Sequence, residues 1–312
     1  MFYLHLIHYN AFFCAQLFNS ILALLIVKRA GKLFGAYRHV MLFFTLCSMW
    51  FSGVQIVTQP VMYMKGSMLV MFIDHDSYPL WFGDFIICLH CSSYVFLISV
   101  FAAQFLYRYC ALCELQILKF FPGYRIFLIF LPCFILFVIW FQVTKWGTFA
   151  SPEKRVYLGD DLKLYFNIDQ DTIPLLALYY WKIAPDGEKI WIYKDLAMLG
   201  ICVLILASIS SIILFSALKI YFHMRNASAN LSQKTQELNR QLFIMLTVQT
   251  IIPLLLMYTP MGLALGLPIF NLSLGKFVNI ASASIAIYPM IEPLVAMYCI
   301  TKVNKFSVQH HV

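Results

Sequence analysis

Charged side chains are scarce in this sequence of 312 residues. Only 12% of the residues are Asp, Glu, Lys or Arg, whereas 62% are hydrophobic; an ordinary soluble domain has roughly 25% charged and 45–50% apolar residues. A soluble fold of this length still leaves about a quarter of its chain surface in water. The composition therefore excludes a water-soluble protein and, because 17% of the residues are aromatic, it also excludes a disordered one.

Motifs for common chemistries are missing as well. The sequence has no glycine-rich phosphate loop, no His-Glu-x-x-His helix and no Gly-x-Ser-x-Gly elbow. We therefore expect no enzyme activity and no cofactor.

Hydrophobic segments of membrane-spanning length are abundant. A helix needs about 20 mostly apolar residues to cross a hydrocarbon layer of ~30 Å. Seven segments meet this requirement, at residues 4–27, 40–59, 85–107, 126–144, 196–218, 241–265 and 277–300. They predict an all-α membrane protein, a bundle of seven transmembrane helices that forms a single domain over residues 1–312.

Basic residues fall on one side of this predicted bundle. Loops on alternate sides of the membrane form two sets. One set, together with the carboxyl-terminal segment, carries 13 Lys and Arg against only two acidic residues, whereas the short segments of the other set carry two basic residues. Basic loops stay in the cytoplasm. We therefore expect the amino terminus outside and the carboxyl terminus in the cytoplasm, and we assign the net charge of +8 to topology and anionic lipid, not to nucleic acid.

The long outer loop between spans four and five predicts a β-hairpin. Two β-prone runs, residues 179–183 and 189–193, flank the turn sequence Pro185-Asp186-Gly187. Proline presets φ, aspartate bonds to the backbone that follows, and glycine accepts a positive φ. The hairpin is expected to form a lid; the alternative is an irregular aromatic loop that lies on the lipid headgroups.

Cysteine is absent from this loop, so no disulfide ties the loop to span three, and packing must hold the lid.

The segment Cys88-Leu89-His90-Cys91 carries three soft ligands, but a helix spreads them over more than one face, so ordinary packing is favoured and no metal site is expected. Cys110 and Cys113 follow span three and are candidates for palmitoylation.

Polar residues and prolines inside the spans are candidates for conformational change. Glu292 is the one acidic side chain well inside a span, where an unpaired charge costs about 2.5–3.5 kcal/mol. It is expected to face the bundle, with Asn19 as a partner, either as a conformational lock or as a static link between helices. Pro253, Pro260 and Pro289 are predicted hinges.

Residues 224–241 on the cytoplasmic side carry Lys234, Glu237 and Arg240 at helical spacing. Charge alone leaves two interpretations open, a solvated basic face and a docking face for an acidic or amphipathic partner helix.

Three stretches together resemble the nematode seven-transmembrane chemoreceptors of the Str type. They are residues 232–262, with a Lys-Thr pair, Gln-Leu-Phe and Gln-Thr-x-x-Pro; residues 274–298, with Tyr-Pro-Met-Ile-Glu-Pro-Leu; and residues 105–109, Phe-Leu-Tyr-Arg-Tyr. The resemblance runs along most of the chain, and the order and spacing of the stretches make it specific.

The resemblance implies a G-protein-coupled receptor in the plasma membrane of sensory neurons, in their cilia, that detects small environmental molecules in the manner of an odorant receptor. Its partners would be a heterotrimeric G protein, the ligand and the bilayer. Arg108, between Tyr107 and Tyr109, resembles the arginine at the cytoplasmic end of span three that takes part in activation. Glu292-Pro293 resembles the family's Asp-Pro in span seven. The sequence departs from the family in this glutamate and in Lys302–Phe306 after span seven.

Depth within the spans suggests Tyr94, Tyr258 and Asn279 as pocket residues, followed by His90. We expect ligand binding to select an arrangement of spans five to seven that engages the G protein. Two alternatives remain open. A small-molecule transporter or ligand-gated channel would need a continuous polar path, and a structural membrane protein would bind no ligand.

Overall fold

Helices make up most of the chain that the structure describes. The structure is a computed structural model, and it describes residues 2–30, 37–74, 78–114, 116, 123–169, 172–227 and 247–309. Within these residues, the helices long and apolar enough to cross a membrane are Phe2–Lys28, Tyr37–Thr58, Leu80–Cys113, Arg125–Gly147, Tyr193–Arg225, Thr247–Phe270 and Lys276–Tyr298. We refer to them as spans one to seven, and they confirm the predicted seven-helix bundle.

Regular helices and strands are labelled in chain order. The helices are α1 (Phe2–Leu25), α2 (Tyr37–Thr58), α3 (Leu80–Cys113), α4 (Leu131–Gly147), α5 (Pro152–Leu158), α6 (Asp161–Phe166), α7 (Tyr193–Ala227), α8 (Thr259–Gly266) and α9 (Asn279–Gln309). The strands are β1 (Pro60–Lys65), β2 (Met68–Ile73), β3 (Leu175–Tyr179), β4 (Trp181–Ile183) and β5 (Lys189–Trp191). Spans one to five contain α1, α2, α3, α4 and α7, and spans six and seven contain α8 and α9.

Spans three and five extend past their predicted ends. Span three covers Leu80–Cys113 and span five Tyr193–Arg225, whereas hydropathy predicted residues 85–107 and 196–218. Only the central part of a membrane helix must be apolar, because side chains near its ends can reach water in the headgroup region.

Span six is irregular between two prolines. Residues 247–253 are α-helical, a π-helical turn follows at Leu254–Tyr258, and α8 begins at Thr259. Pro253 and Pro260 bracket this turn. Because proline lacks an N–H donor, it interrupts the hydrogen bonding of the helix. The π-helical turn therefore lies where the sequence predicts hinges.

Span three lies at the centre of the bundle. It packs closely against spans two, four and five, while span one packs against spans two and seven. Most of the span-three side chains from Ser92 to Phe105 are buried. Span five makes extensive contact with span three but little with span four or with Leu254–Gly266 of span six.

A three-stranded antiparallel sheet covers the end of the bundle that the charges predict to be outer. We call this end the outer end and the opposite end the inner end, after that prediction. The strand order is β1-β2-β3, and Lys65 pairs with Met68 across the two-residue turn Gly66-Ser67. This sheet was not predicted from the sequence. Both faces of β1 and β2 are buried, so these strands lack the alternation of polar and apolar residues that marks a strand; the Gly-Ser turn between two apolar runs was the available signal.

The predicted hairpin region contains strands β4 and β5, which pair antiparallel. At the turn, Asp186 Oδ1 accepts a hydrogen bond of 3.0 Å from the Glu188 N–H, and Gly187 has φ +86°. These are the local interactions on which the hairpin was predicted. The β5 residues are exposed, however, and the three-stranded sheet covers the bundle end, so a lid role for the hairpin stays a prediction.

The sheet layer, which we define as β1–β5 with α5 and α6, packs on its own apolar core. Sheet residues such as Val61 and Phe72 join Leu158 of α5 and Leu162 of α6 in one buried cluster. The layer therefore stands on the outer ends of the spans as a second, smaller packed unit.

Candidate ligand cavity and inner polar cluster

A cavity lies between the sheet layer and the outer halves of spans three to six. Strands β1, β2 and β3 line it on one side, and the four spans line it on the others. The space open to the centres of water-sized molecules is about 90 Å³, several times the roughly 10–15 Å³ that one water needs. A small organic molecule therefore fits between the sheet and the bundle.

The cavity wall is apolar and uncharged. No Asp, Glu, Lys or Arg stands among its described lining residues, five of which carry sulfur: Met62, Met71, Cys91, Cys202 and Met261. Such a wall offers dispersion contacts to a polarisable ligand and no counter-ion to a charged one.

His90 is the polar group in the wall with spare bonding capacity. Its side chain is 3% exposed, its ring stacks on Phe51 with centroids 5.8 Å apart, and its buried Nδ1 has no hydrogen-bond partner within the described structure. Tyr94, one turn further along span three, donates its hydroxyl to the Met257 carbonyl at 3.2 Å. His90 is thus the group best placed to bond a ligand.

The four predicted pocket residues separate into two pairs. Tyr94 and His90 line the cavity. Tyr258 packs instead against the core of the bundle. Asn279 bonds to strand β1, where its Oδ1 accepts from the Met62 N–H and its Nδ2 donates to the Met62 carbonyl, both at 2.8 Å. Because Met62 lines the cavity, Asn279 positions the wall without forming it.

A buried ion pair connects the sheet layer to span five. Lys154 Nζ of α5 lies 2.7 Å from Asp195 Oδ2, and the two side chains are 7% and 1% exposed. Lys154 also donates to the Ala177 carbonyl, and Asp195 accepts from the Tyr179 N–H, each at 2.7 Å. Burial lowers the pKa of Lys154, while the hydrogen bond and charge of Asp195 act in the opposite direction.

Arg108 forms the centre of a polar cluster at the inner end of the bundle. Its Nη1 donates to Gln249 Oε1 of span six at 3.2 Å, and its guanidinium carbon lies 4.7 Å from the centre of the Tyr37 ring. Tyr37 in turn stacks on Tyr107 with centroids 5.6 Å apart. Arg108 therefore joins spans two, three and six.

Glu292 lies beside this cluster in a very small internal space. It is 5% exposed, and it lines the space together with Gln104 and Gln249. Its Oε2 has no hydrogen-bond partner among the described residues. The carboxyl group faces the bundle, as expected, although its activation role stays a prediction.

Asn19, the expected partner of Glu292, bonds to a different group. Its Nδ2 donates to the Pro289 carbonyl at 2.9 Å. That carbonyl has no helical donor, because the residue four positions later is Pro293, which lacks an N–H. Asn19 thus replaces the missing donor and ties span one to the proline segment of span seven.

The remaining predicted inner residues are spread around Arg108. Tyr109 packs on Phe215 of span five with ring centroids 5.5 Å apart, and Cys113 Sγ lies 3.9 Å from the Lys219 carbonyl of the same span. Cys110 is buried. Lys234 and Arg240 lie outside the described residues.

Two contacts of the candidate site were not predicted from the sequence. Gln249 belongs to the Gln-Thr-x-x-Pro motif, and an amide in an apolar span is a signal for a buried hydrogen bond. Lys154 and Asp195 are far apart in sequence, and no local pattern predicts their pairing.

Seven apolar helices with a cavity at one end and an arginine-centred polar cluster at the other have the architecture of a seven-transmembrane receptor. The family model described as "Serpentine type 7TM GPCR chemoreceptor Str" matches residues 4–306. The chain belongs to this family of nematode G-protein-coupled receptors, as its motifs predicted, and it is a multi-pass membrane protein.

Individual relatives are similar over most of their length. The G-protein coupled receptor str-33 of Caenorhabditis elegans is 27% identical over 93% of this chain and 86% of its own. The serpentine receptor class r-10 of Caenorhabditis briggsae is 24% identical over 90% and 82%, and the serpentine receptor class J-38 of Caenorhabditis elegans 23% identical over 92% and 86%.

Proposed function

We propose that the protein is a chemoreceptor that binds a small environmental molecule in the cavity beneath the sheet layer and activates a heterotrimeric G protein at its inner face. We place it in the plasma membrane of sensory neurons, in the cilium. The observation that supports the proposal is that one helix, span six, takes part in both the cavity and the Arg108 cluster.

Span six offers a direct mechanical link between the two ends. Met261 lines the cavity, the Met257 carbonyl accepts the Tyr94 hydroxyl, and Gln249 holds Arg108. The π-helical turn at Leu254–Tyr258 lies between these contacts. A change of angle at this turn would move Gln249 relative to Arg108, and a ligand that prefers the changed cavity would favour that arrangement.

Glu292 supplies the second half of the switch. In the described arrangement Arg108 bonds to Gln249, while Glu292, which lines the same small space as Gln249, keeps an unbonded oxygen. When Gln249 moves away, Arg108 gains a charged acceptor in place of an amide. The guanidinium is charged in both arrangements, but an ionised carboxylate adds attraction between opposite charges that the Gln249 amide cannot supply, so this exchange would stabilise the active arrangement.

The test is second-messenger signalling in cells that express the full chain, screened against odorant mixtures. We expect a response that Arg108→Ala abolishes and that Gln249→Ala alters in its basal level, both at normal surface expression. Arg125→Ala is the matched control, because Arg125 is an exposed arginine at the inner end of span four, and we expect it to leave the response unchanged.

Other outcomes would contradict the proposal. A current or substrate uptake that persists without any G protein would indicate a channel or transporter. Absence of any response in cells with surface expression, across the mixtures, would indicate a structural protein. Tagged receptor that stays out of the cilium in sensory neurons would overturn the proposed location.

A further inference from the structure

The cavity is closed toward the outer aqueous side. Its lining residues from β1 and β3, Met62, Leu176, Ala177 and Leu178, are at most 8% exposed. Because the sheet is continuously hydrogen-bonded from β1 to β3, it leaves no opening between its strands for a ligand to pass.

The edge of this cover is fixed to span six. Tyr180 donates its hydroxyl to the Leu265 carbonyl, and Trp181 donates its Nε1 hydrogen to the Ile269 carbonyl, both at 3.0 Å. Both residues belong to the loop that leads into span five, and both are buried. They therefore seal the outer end of the space between spans five and six.

Below this seal, spans five and six are poorly joined. Span five packs on span three, whereas its contacts with Leu254–Gly266 of span six, the part beside the cavity, are few. Of the lining residues on these two spans, Leu206, Met261 and Leu265 are partly exposed and Cys202 is buried, whereas Trp140 and Thr144 on span four are both buried. The wall of the cavity is therefore weakest between spans five and six, at membrane depth.

The chemistry of the wall matches an approach from lipid. The lining carries no charged side chain among its described residues, so an ionic ligand would lose its hydration without gaining a counter-ion, which costs several kcal/mol. An uncharged apolar molecule concentrates in the bilayer, about fourfold more for each methylene that it buries there. It then reaches the cavity without crossing water again.

We propose that the cavity takes uncharged, apolar ligands that have partitioned into the bilayer and that enter between spans five and six below Tyr180 and Trp181. The proposal rests on the proposed function only in taking the cavity as the ligand site. The route itself can be tested without a known ligand and without a G protein.

Cys91 is the reporter, because it lines the cavity. The full chain in lipid vesicles is exposed to three thiol reagents: N-ethylmaleimide, a membrane-impermeant trimethylammonium methanethiosulfonate, and a phospholipid that carries a maleimide in the middle of an acyl chain. Mass spectrometry reads modification of the Cys91 peptide. Two added cysteines serve as references, Glu188→Cys at the exposed hairpin turn and Leu204→Cys, whose native side chain is 68% exposed on the lipid side of span five.

We expect Cys91 to react with N-ethylmaleimide and with the lipid maleimide, and to react at least about tenfold more slowly than Glu188→Cys with the charged reagent, since a charge must be desolvated to enter. Leu204→Cys should react with the lipid reagent and Glu188→Cys should not. Cys91 modification by the charged reagent at the rate of Glu188→Cys, or no modification by the lipid reagent, would overturn the proposed route.

A pair of variants tests the position of the entrance. Leu206→Ala removes a side chain from the gap, and we expect lipid-maleimide modification of Cys91 to become several-fold faster. Leu204→Ala, two residues away and facing lipid, should leave it unchanged; equal rates in the two variants would place the entrance elsewhere. If labelling follows these expectations while no signalling is found, the entry route is supported and the receptor function is contradicted. If the protein signals but the charged reagent reaches Cys91 from water, the receptor function is supported and the entry route is contradicted.

Discussion

The sheet layer and the helical bundle differ in the hydrogen bonding of their buried polar groups. Within the described residues, every buried side-chain nitrogen and oxygen atom of the sheet layer has a hydrogen-bond partner. The described part of the bundle contains buried atoms without one, among them Asn19 Oδ1, His90 Nδ1 and Glu292 Oε2. A fully bonded layer has one stable arrangement, whereas spare acceptors and donors inside the bundle can take new partners when helices shift.

The difference assigns the two regions different tasks. The sheet layer fixes the wall of the cavity through Lys154, Asp195 and Asn279. The bundle holds the groups that can exchange partners, Arg108, Gln249 and Glu292. Under the proposed function, the rigid layer supplies one wall of the ligand cavity, and the adaptable bundle supplies the other walls and passes on the signal.

The largest loss of stability is expected when the buried lysine is removed. Lys154→Met leaves the Asp195 carboxylate buried without its cation, and we expect the free energy of unfolding to fall by ~3–5 kcal/mol. Thermal unfolding of the detergent-solubilised protein measures the loss. Replacing both partners, Lys154→Met with Asp195→Leu, should lose less, because no uncompensated charge remains.

The exposed ion pair of the same layer is the matched control. Lys182 Nζ and Glu153 Oε1 lie 2.5 Å apart, but the side chains are 39% and 58% exposed. Lys182→Met should therefore cost at most ~1 kcal/mol. If both lysine variants unfold alike, the buried pair does not fix the layer.

A second test concerns the link between spans one and seven. Asn19→Ala leaves the Pro289 carbonyl buried without a donor, and we expect a loss of ~1–3 kcal/mol in the free energy of unfolding. Adding Pro293→Ala restores a backbone N–H four residues after Pro289 and should recover part of the loss. Asn10→Ala removes an exposed amide that bonds to Leu6 and should change stability little; no recovery in the double variant would refute the link.

A third test addresses the turn between β1 and β2. Gly66 has φ +52°, and an added Cβ would lie 2.5 Å from the Tyr157 hydroxyl oxygen. Gly66→Ala should therefore destabilise the fold by ~1–3 kcal/mol. Gly53→Ala in span two is the control, because its added Cβ meets no atom within 4 Å; it should be neutral or stabilising by up to ~1 kcal/mol. Unfolding curves measure both variants, and equal midpoints would show that the turn is not constrained.

The smallest expected effect is a pH dependence from Lys154. Burial lowers its pKa in the folded protein, so in the interval between that lowered value and about 10.4 the unfolded chain binds more protons than the folded one. The free energy of unfolding of the native protein, relative to that of Lys154→Met, should therefore rise with pH across this interval. The total rise is ~1.4 kcal/mol for each pKa unit by which folding lowers the pKa of Lys154. A difference that falls with pH would mean that the charged form is favoured by folding.

The spans were predictable because their signal is local. Twenty apolar residues in a row suffice to indicate a membrane helix, and Pro185-Asp186-Gly187 suffices to indicate a turn. The sheet was not predictable in the same way, since β1 and β2 are apolar on both faces and β3 comes about 100 residues later. Among the site residues, Tyr94 and His90 were chosen by depth and line the cavity, whereas Asn279 was chosen by depth and bonds to a strand.

By itself, the sequence determined the number of membrane helices and, through its motifs, the family, because hydrophobic length and residue order are properties of the chain alone. Tertiary structure decided the rest. It brings Lys154 to Asp195, Asn19 to the carbonyl that Pro293 leaves unpaired, and strand β3 to the distant β1–β2 hairpin over one cavity. These contacts depend on which helix faces and loops meet in space, and a linear pattern does not contain the directions of side chains on different elements.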